Sequence, residues 1–197
     1  MLAAVILSAG ASSRMGRPKA LLPYREGTFL EHLMEVTRDP RVAVTRVVLG
    51  AGAEAIRTAA KLDPSIVALN PDWEKGQLSS IRAGLRSLAE IDIDGIVLCP
   101  VDHPLISARL VGELVARFYE TKKAIVLPTF HGRRGHPAIF SKALFGELLA
   151  APENAGARAV VWAHSGEVLE VPTEEEGILL NINDPDMLER AIGREAK

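Results

Sequence analysis

Residues 2–19 read LAAVILSAGASSRMGRPK, an apolar run followed by a polar loop. The continuous apolar run 2–7 predicts a strand that is covered on both faces, as in a parallel sheet. The loop that follows can bind a polyphosphate, because Gly10 lets the backbone approach a ligand and turn N–H groups bind anions. Arg14 adds a planar, permanently charged fork for phosphate oxygens, and Lys19 adds a mobile point charge.

The rest of the chain alternates apolar runs with helical patterns. We predict strands at 3–7, 45–49, 66–69, 95–98, 124–127, 138–140 and 168–171, and a short one at 178–182. We predict helices at 28–37, 54–60, 78–89, 109–120, 142–149 and 155–163, and a last one that begins after Asp184 with Pro185 and ends near Ile192. The alternation predicts an α/β layer fold with a mostly parallel sheet, whose ligands bind beyond the carboxyl ends of the strands. The acidic run 174–176 is expected to be a solvated turn.

Composition narrows the class of protein. A length of 197 residues with 48% hydrophobic residues fits one domain, 1–197, with a full core. The net charge of −2 argues against a broad nucleic-acid surface, and no apolar run approaches the ~18 residues of a membrane span. Cys99 is the only cysteine, so an internal disulfide is impossible and a cytoplasmic location is expected.

A second motif, GIVLCPVDHP at 95–104, places Asp102 just after an apolar strand. A carboxylate at that edge of the sheet, facing a phosphate loop, suits a divalent cation. Mg²⁺ is commonly bound through one or two carboxylates together with substrate phosphates. Asp102 is therefore the predicted metal ligand, and Ser107 is a better candidate for capping the next helix.

The loop pattern G-x-S-x-R-M-G-x-x-K resembles the signature of MobA-like nucleotidyltransferases, and SSRMGRPKALLP is most similar to the molybdenum cofactor cytidylyltransferase branch. The resemblance implies a Rossmann-like three-layer α/β/α fold and Mg²⁺-dependent transfer of an NMP group, CMP from CTP, onto the phosphate of molybdopterin, with release of pyrophosphate. It implies Arg14 on the β- and γ-phosphates, Lys19 on the α-phosphate, and a molybdoenzyme client as a further partner. The loop residues implied to bind the nucleotide are Leu7, Ser8, Ala9, Gly10, Ser12 and Ser13.

Three further segments resemble parts of the same family. NPDWEKGQLSSIRAG, 70–84, is similar to the part that reads base and sugar, which implies nucleotide contacts from Asn70, Gly76, Ser79 and Ser80. GRRGHPAIF, 132–140, is similar to the segment beside the acceptor, which implies acceptor contacts from Gly135, His136 and His103. The motif NINDP implies Asn183 as the second metal ligand, with Asp184 in reserve. The branch usually has D-I-D-T-P here, so two amides replace two carboxylates.

Other functions stay open at this point. A GTP-dependent guanylyltransferase and a sugar-phosphate nucleotidyltransferase would use the same loop. A non-catalytic carrier of a nucleotide or cofactor would need Gly10 and Arg14 but not Asp102. Gly50 and Gly52 match G-x-G-x-x-A, with Asp72 twenty residues beyond Gly52, which resembles a dinucleotide-binding fingerprint. That dehydrogenase interpretation leaves the loop after the first strand unexplained.

Overall fold

The computed structural model describes residues 1–153, 155–184 and 186–190, without the side chain of Arg14. Within these residues the strands are β1 Leu2–Ser8, β2 Pro23–Tyr24, β3 Gly27–Thr28, β4 Val42–Leu49, β5 Val67–Leu69, β6 Gly95–Pro100, β7 Ile125–Phe130, β8 Arg133–Arg134, β9 Ala138–Ser141 and β10 Val168–Pro172. The main sheet has the order β10-β7-β9-β6-β1-β4-β5, with β8 added to β7, while β2 and β3 form a separate hairpin. β9 runs antiparallel to both β6 and β7, and the other neighbours along this order are parallel. The predicted α/β fold with a mostly parallel sheet is confirmed.

Helices cover both faces of the sheet. They are α1 Phe29–Val36, α2 Ala53–Ala59, α3 Gln77–Arg86, α4 Ala108–Thr121, α5 Phe145–Ala150 and α6 Gly156–Ala163, and residues 186–190 are also helical. Buried residues of α1, α2 and α4 belong to one apolar cluster, and those of α3, α5 and α6 belong to a second. The sheet therefore separates two cores, which is the three-layer arrangement expected.

Strand β1 shows why the apolar run forms the centre of the molecule. Its side chains alternate between the faces: Leu2 and Ile6 enter the first core, whereas Val5 and Leu7 enter the second. Because both faces are covered, a strand at this position needs a continuous apolar run rather than an alternating one. On the neighbouring strand, burial raises the pKa of the Cys99 thiol to about 12, as expected for a core cysteine.

The segment before the last helix differs from the prediction in two ways. Residues 178–182 do not form a strand; a 3-10 turn, Glu176–Leu179, is followed by irregular chain. This chain bonds to loops rather than to a strand, since Ile178 O accepts from His136 N and Ile182 N donates to Asp102 O. In the run 174–176, Glu174 and Glu176 are exposed as predicted, but the Glu175 carboxylate accepts from the backbone N–H and the hydroxyl of Ser107.

Ser107 is the N-cap of α4, as predicted, with its side chain accepting from Leu110 N. Asp184 also acts as a cap, because its carboxylate accepts from Met187 N at 2.9 Å. Pro185 and Ile192, the predicted start and end of the last helix, lie outside the described residues.

In the part of the chain that the structure describes, every helix is too short or too polar to cross a bilayer.

Candidate active site

A cleft of about 250 Å³ lies beyond the carboxyl ends of β1 and β6. These strands are parallel neighbours, so the loops that follow them meet at one edge of the sheet. The start of α3 and the turn before it close a third side. The residues that line the cleft are Leu7, Ser8, Ala9, Gly10, Ser12, Pro18, Lys19, Ile56, Trp73, Gly76, Gln77, Ser80, Pro100, Val101 and Asp102.

The loop after β1 folds back on itself and brings Lys19 to the cleft. Ser12 has a left-handed backbone, φ 52°, and its hydroxyl oxygen accepts from Lys19 N at 3.1 Å. A Cβ added to Gly10 would meet nothing within 4 Å. Gly10 is exposed and lines the cleft, so a ligand in the cleft could approach the backbone closely at this position.

Two loop residues predicted to contact the nucleotide, Ser13 and Arg14, are not among the described side chains that line the cleft. Ser13 is exposed and does not line the cleft. Arg14 lies in the 3-10 turn Ser13–Met15, but its side chain is outside the described part of the molecule. Both assignments stay predictions.

Lys19, Asp102 and Asn183 form one polar cluster, although 164 residues separate the first from the last. The Lys19 ammonium donates to Asn183 Oδ1 at 2.6 Å and lies 3.6 Å from Asp102 Oδ2. The Lys19 and Asp102 side chains are only 13% and 25% exposed. Partial burial strengthens the attraction between them relative to a surface ion pair.

Backbone hydrogen bonds fix the positions of Asp102 and Asn183, whose side-chain oxygens face the Lys19 ammonium. Val101 N donates to Leu7 O, which joins the loop after β6 to the end of β1. Ile182 N donates to Asp102 O at 2.7 Å, which sets Asn183 beside Asp102. Because Asp184 caps the last helix, Asn183 is the better placed of the two predicted second ligands.

His103 and His136 lie against each other, with ring centroids 4.8 Å apart. Burial lowers the pKa of both rings, for His136 to about 4. The Asp102 carboxylate, 4.0 Å from His103 Nε2, raises the pKa of His103 but does not outweigh burial. Both rings are therefore neutral at pH 7. Their buried Nδ1 atoms have no hydrogen-bond partner among the described residues.

Gly135 holds the chain that leads to His136. A Cβ at Gly135 would lie 2.5 Å from Ile178 O, so this position admits only glycine. The three predicted acceptor residues are thus brought together near Asp102, although they do not line the cleft beyond β1 and β6.

Asn70 and Ser79 belong to the framework of the cleft rather than to its lining. Asn70 is 3% exposed and donates to the hydroxyl oxygens of Ser79 and Ser80. Ser79 in turn donates to Gly76 O. Because Asn70 occupies the oxygen of Ser80 as an acceptor, the Ser80 hydroxyl keeps its proton for another acceptor, and Ser80 lines the cleft. Direct nucleotide contact by Asn70 or Ser79 stays a prediction.

Sequence reasoning did not assign Trp73 or Gln77 to the cleft. Trp73 sits on Gly50, where an added Cβ would lie 2.6 Å from Trp73 Cβ and 2.7 Å from Ala9 O. The signal for this contact was the glycine pair at 50 and 52. Asp72, the acidic residue of the same fingerprint, pairs with Lys75 and lines a separate depression.

The fold and the cleft together define a class of protein: an α/β protein with a cation, a carboxylate and an open glycine loop at one edge of a mostly parallel sheet. The chain belongs to the family of the MobA-like NTP transferase domain, whose model matches residues 4–168. It is therefore a member of a nucleotidyltransferase family.

Named relatives point to more than one activity. The chain is 36% identical over 151 residues to nicotine blue oxidoreductase of Paenarthrobacter nicotinovorans, which covers 71% of each chain. It is 30% identical to a protein of Mycobacterium avium named probable molybdenum cofactor guanylyltransferase, over 92% of this chain and 90% of the relative. It is 25% identical to the molybdenum cofactor cytidylyltransferase of Escherichia coli, over 92% of this chain and 91% of the relative.

Solved structures show the same fold. The crystal structure of Rv0371c from Mycobacterium tuberculosis superposes with a TM-score of 0.82 at 30% identity, covering 98% of this chain and 99% of that one. A complex of that protein with manganese superposes with a TM-score of 0.74 at 28% identity, covering 98% of each chain.

Proposed function

We propose that this chain, as one domain over residues 1–197, transfers a nucleotidyl group from a nucleoside triphosphate to a phosphorylated acceptor. The observation that carries the proposal is the cluster of Lys19 and Asp102 beside the open loop at Gly10, all on one cleft. A cation and a carboxylate at the ends of neighbouring parallel strands can hold the charged phosphates of a triphosphate.

The reaction needs positioning and charge stabilisation more than proton transfer. An ionised phosphate oxygen of the acceptor forms a bond to the α-phosphorus, the α–β anhydride bond breaks, and its electron pair leaves on pyrophosphate. Lys19 is placed to stabilise charge at the α-phosphate, and Arg14 is proposed for the β- and γ-phosphates. Ser80, with its hydroxyl proton available, is placed to donate to the nucleotide.

Asp102 and Asn183 fit a hard divalent cation, because one carboxylate and one amide oxygen converge on a single point. Mg²⁺ bound there would neutralise charge that develops on the phosphates. The manganese complex of the structural relative from Mycobacterium tuberculosis supports a divalent cation in this fold.

We propose a molybdopterin-type phosphate as the acceptor, on the support of the relatives named for molybdenum cofactor synthesis. Gly135, His103 and His136 would border it. Since both imidazole rings are neutral, they can accept or donate hydrogen bonds to a polar ring system without repelling or attracting charge. The signature loop supports CTP as donor, and the guanylyltransferase relative supports GTP.

The test is pyrophosphate release with Mg²⁺ and each of CTP, GTP, ATP and UTP, with and without molybdopterin. Release that requires molybdopterin and one nucleotide is the expected result. The Asp102→Asn variant should lose it, whereas the matched control Asp92→Asn should not, because Asp92 is an exposed partner of Lys142. Nucleotide binding with equal activity in both variants would contradict the assignment. Binding without any turnover would favour the carrier function.

A second candidate is a nucleotide-dependent oxidoreductase, which the relative from Paenarthrobacter nicotinovorans favours. The placement of Asp72 outside the cleft argues against the dinucleotide fingerprint at Gly50 and Gly52. Titration with NADH and NADPH distinguishes the two functions: tight binding of either, without pyrophosphate release from any triphosphate, would favour the oxidoreductase.

A further inference from the structure

The Lys19 ammonium occupies both oxygens that the proposed function assigns to the metal. It lies 2.6 Å from Asn183 Oδ1 and 3.6 Å from Asp102 Oδ2. A divalent cation that bound the same two oxygens would lie within a few ångströms of the ammonium. Two like charges at that spacing, in a partly buried site, repel strongly.

The net charge of the cluster also disfavours the binding of a divalent cation without a nucleotide. Lys19 and Asp102 cancel, and Asn183 contributes an amide without charge. With the Lys19 ammonium in place, the three side chains of this cluster therefore offer a divalent cation no net negative charge. A triphosphate supplies that charge, and its phosphates also attract the ammonium toward the loop at Gly10.

We propose that Lys19 acts as a resident cation on the metal ligands, so that Asp102 and Asn183 accept a divalent cation only when a triphosphate enters with it. This inference rests on the proposed function and deepens it: Lys19 makes metal binding conditional on the nucleotide. When the divalent cation replaces the Lys19 ammonium, the ammonium moves from Asn183 to a phosphate. No covalent bond is formed or broken.

The experiment measures Mn²⁺ binding by the loss of the free-ion EPR signal, first without nucleotide. Wild type should bind weakly. Lys19→Met, which removes the ammonium, should bind about ten- to a hundredfold more tightly, because a like charge at roughly 4 Å has gone. The double variant Lys19→Met/Asp102→Asn should lose the gain, which would place the metal on these oxygens.

Lys142→Met is the matched control. This change also removes an ammonium that faces a carboxylate, because Lys142 Nζ lies 3.2 Å from Asp92 Oδ1, but both side chains are well exposed. Its Mn²⁺ affinity should equal that of wild type. Circular dichroism checks that each variant is folded, and Lys19→Gln, which removes the charge but keeps a donor for Asn183, replaces Lys19→Met if the latter fails to fold.

A second titration adds a non-hydrolysable analogue of each triphosphate to wild type, which should raise its Mn²⁺ affinity with at least one of them. Equal Mn²⁺ affinity of wild type and Lys19→Met without nucleotide would overturn the inference, even if nucleotide transfer is observed. Tighter binding by Lys19→Met, with no nucleotide bound by wild type, would support Lys19 as the cation on these oxygens but would refute both its coupling to a nucleotide and the proposed transferase.

Discussion

Acidification between pH 7 and pH 4 should destabilise this protein through the buried histidine pair. The pKa of His136 falls from its ordinary value of 6.5 to about 4 in the folded chain, mainly because burial disfavours the charged ring. The pKa of His103 is lowered in the same direction. Between pH 6.5 and pH 4 His136 is therefore protonated in the unfolded chain but neutral in the folded chain.

The sign and the size follow from this difference. Because the unfolded state holds more protons between pH 6.5 and pH 4, the free energy of unfolding falls as the pH falls. A pKa difference of about 2.5 units corresponds to roughly 3 kcal/mol. His136 is only partly exposed, so solvent screening reduces this figure little. The lowered pKa values of Asp39 and Asp94 act mainly below 3.8 and do not mask the window.

The measurement is urea unfolding at pH 7, 6, 5 and 4 for wild type and His136→Gln, whose side chain cannot be protonated. Between pH 7 and pH 4 the wild type should lose about 3 kcal/mol more than the variant. The control is His131→Gln, which removes an exposed histidine and leaves the buried pair in place. Parallel curves for wild type and His136→Gln would refute the reasoning, whatever their absolute stabilities.

Three further changes test other parts of the site. Lys19→Ala should lower kcat roughly 10²–10³-fold, since a preorganised charge at the reacting phosphate is lost, and normal turnover in a steady-state assay would contradict its role. Gly177→Ala should reduce the free energy of unfolding by about 1–3 kcal/mol, because the new Cβ would collide with Leu105 O, and an unchanged urea midpoint would show that the chain adapts. Nucleotide binding should change the fluorescence of Trp73, which lines the cleft. The change should persist in Trp162→Phe, because Trp162 is 65% exposed and lies outside the cleft. Loss of the fluorescence change in that variant would exclude Trp73 as its source.

Local sequence patterns predicted most of the fold. Strand β1 could be predicted because a strand covered on both faces requires a continuous apolar run, and Ser107 could be predicted as a cap because its hydroxyl satisfies a free N–H of α4. The chain at 178–182 could not, because its apolar residues are fixed by contacts with distant loops rather than by a neighbouring strand. A pentapeptide with four apolar residues carries no local sign of that difference.

The site was predicted where a motif follows a strand. Asp102 and the loop at Gly10 could be placed together, since parallel strands end at the same edge of the sheet. The bond from Lys19 to Asn183 could not be predicted from either residue's neighbours, because it closes 164 residues of chain. The direction of the Asn70 side chain could not be predicted either, because only the packed structure shows that its amide donates inward to Ser79 and Ser80.

Antiparallel β9 lies between β6 and β7 in the sheet. It therefore separates β7 and β10 from the parallel strands β6, β1, β4 and β5. The strands β1, β4 and β5 lie on the side that we propose for the nucleotide, whereas the chain before β9 brings His136 to the side that we propose for the acceptor. Residues 131–135 can therefore lengthen or change sequence, Gly135 excepted, without altering a single hydrogen bond of the loop at Gly10. The proposed acceptor side can therefore change while the proposed nucleotide side stays constant, which would allow one fold to serve relatives with different names.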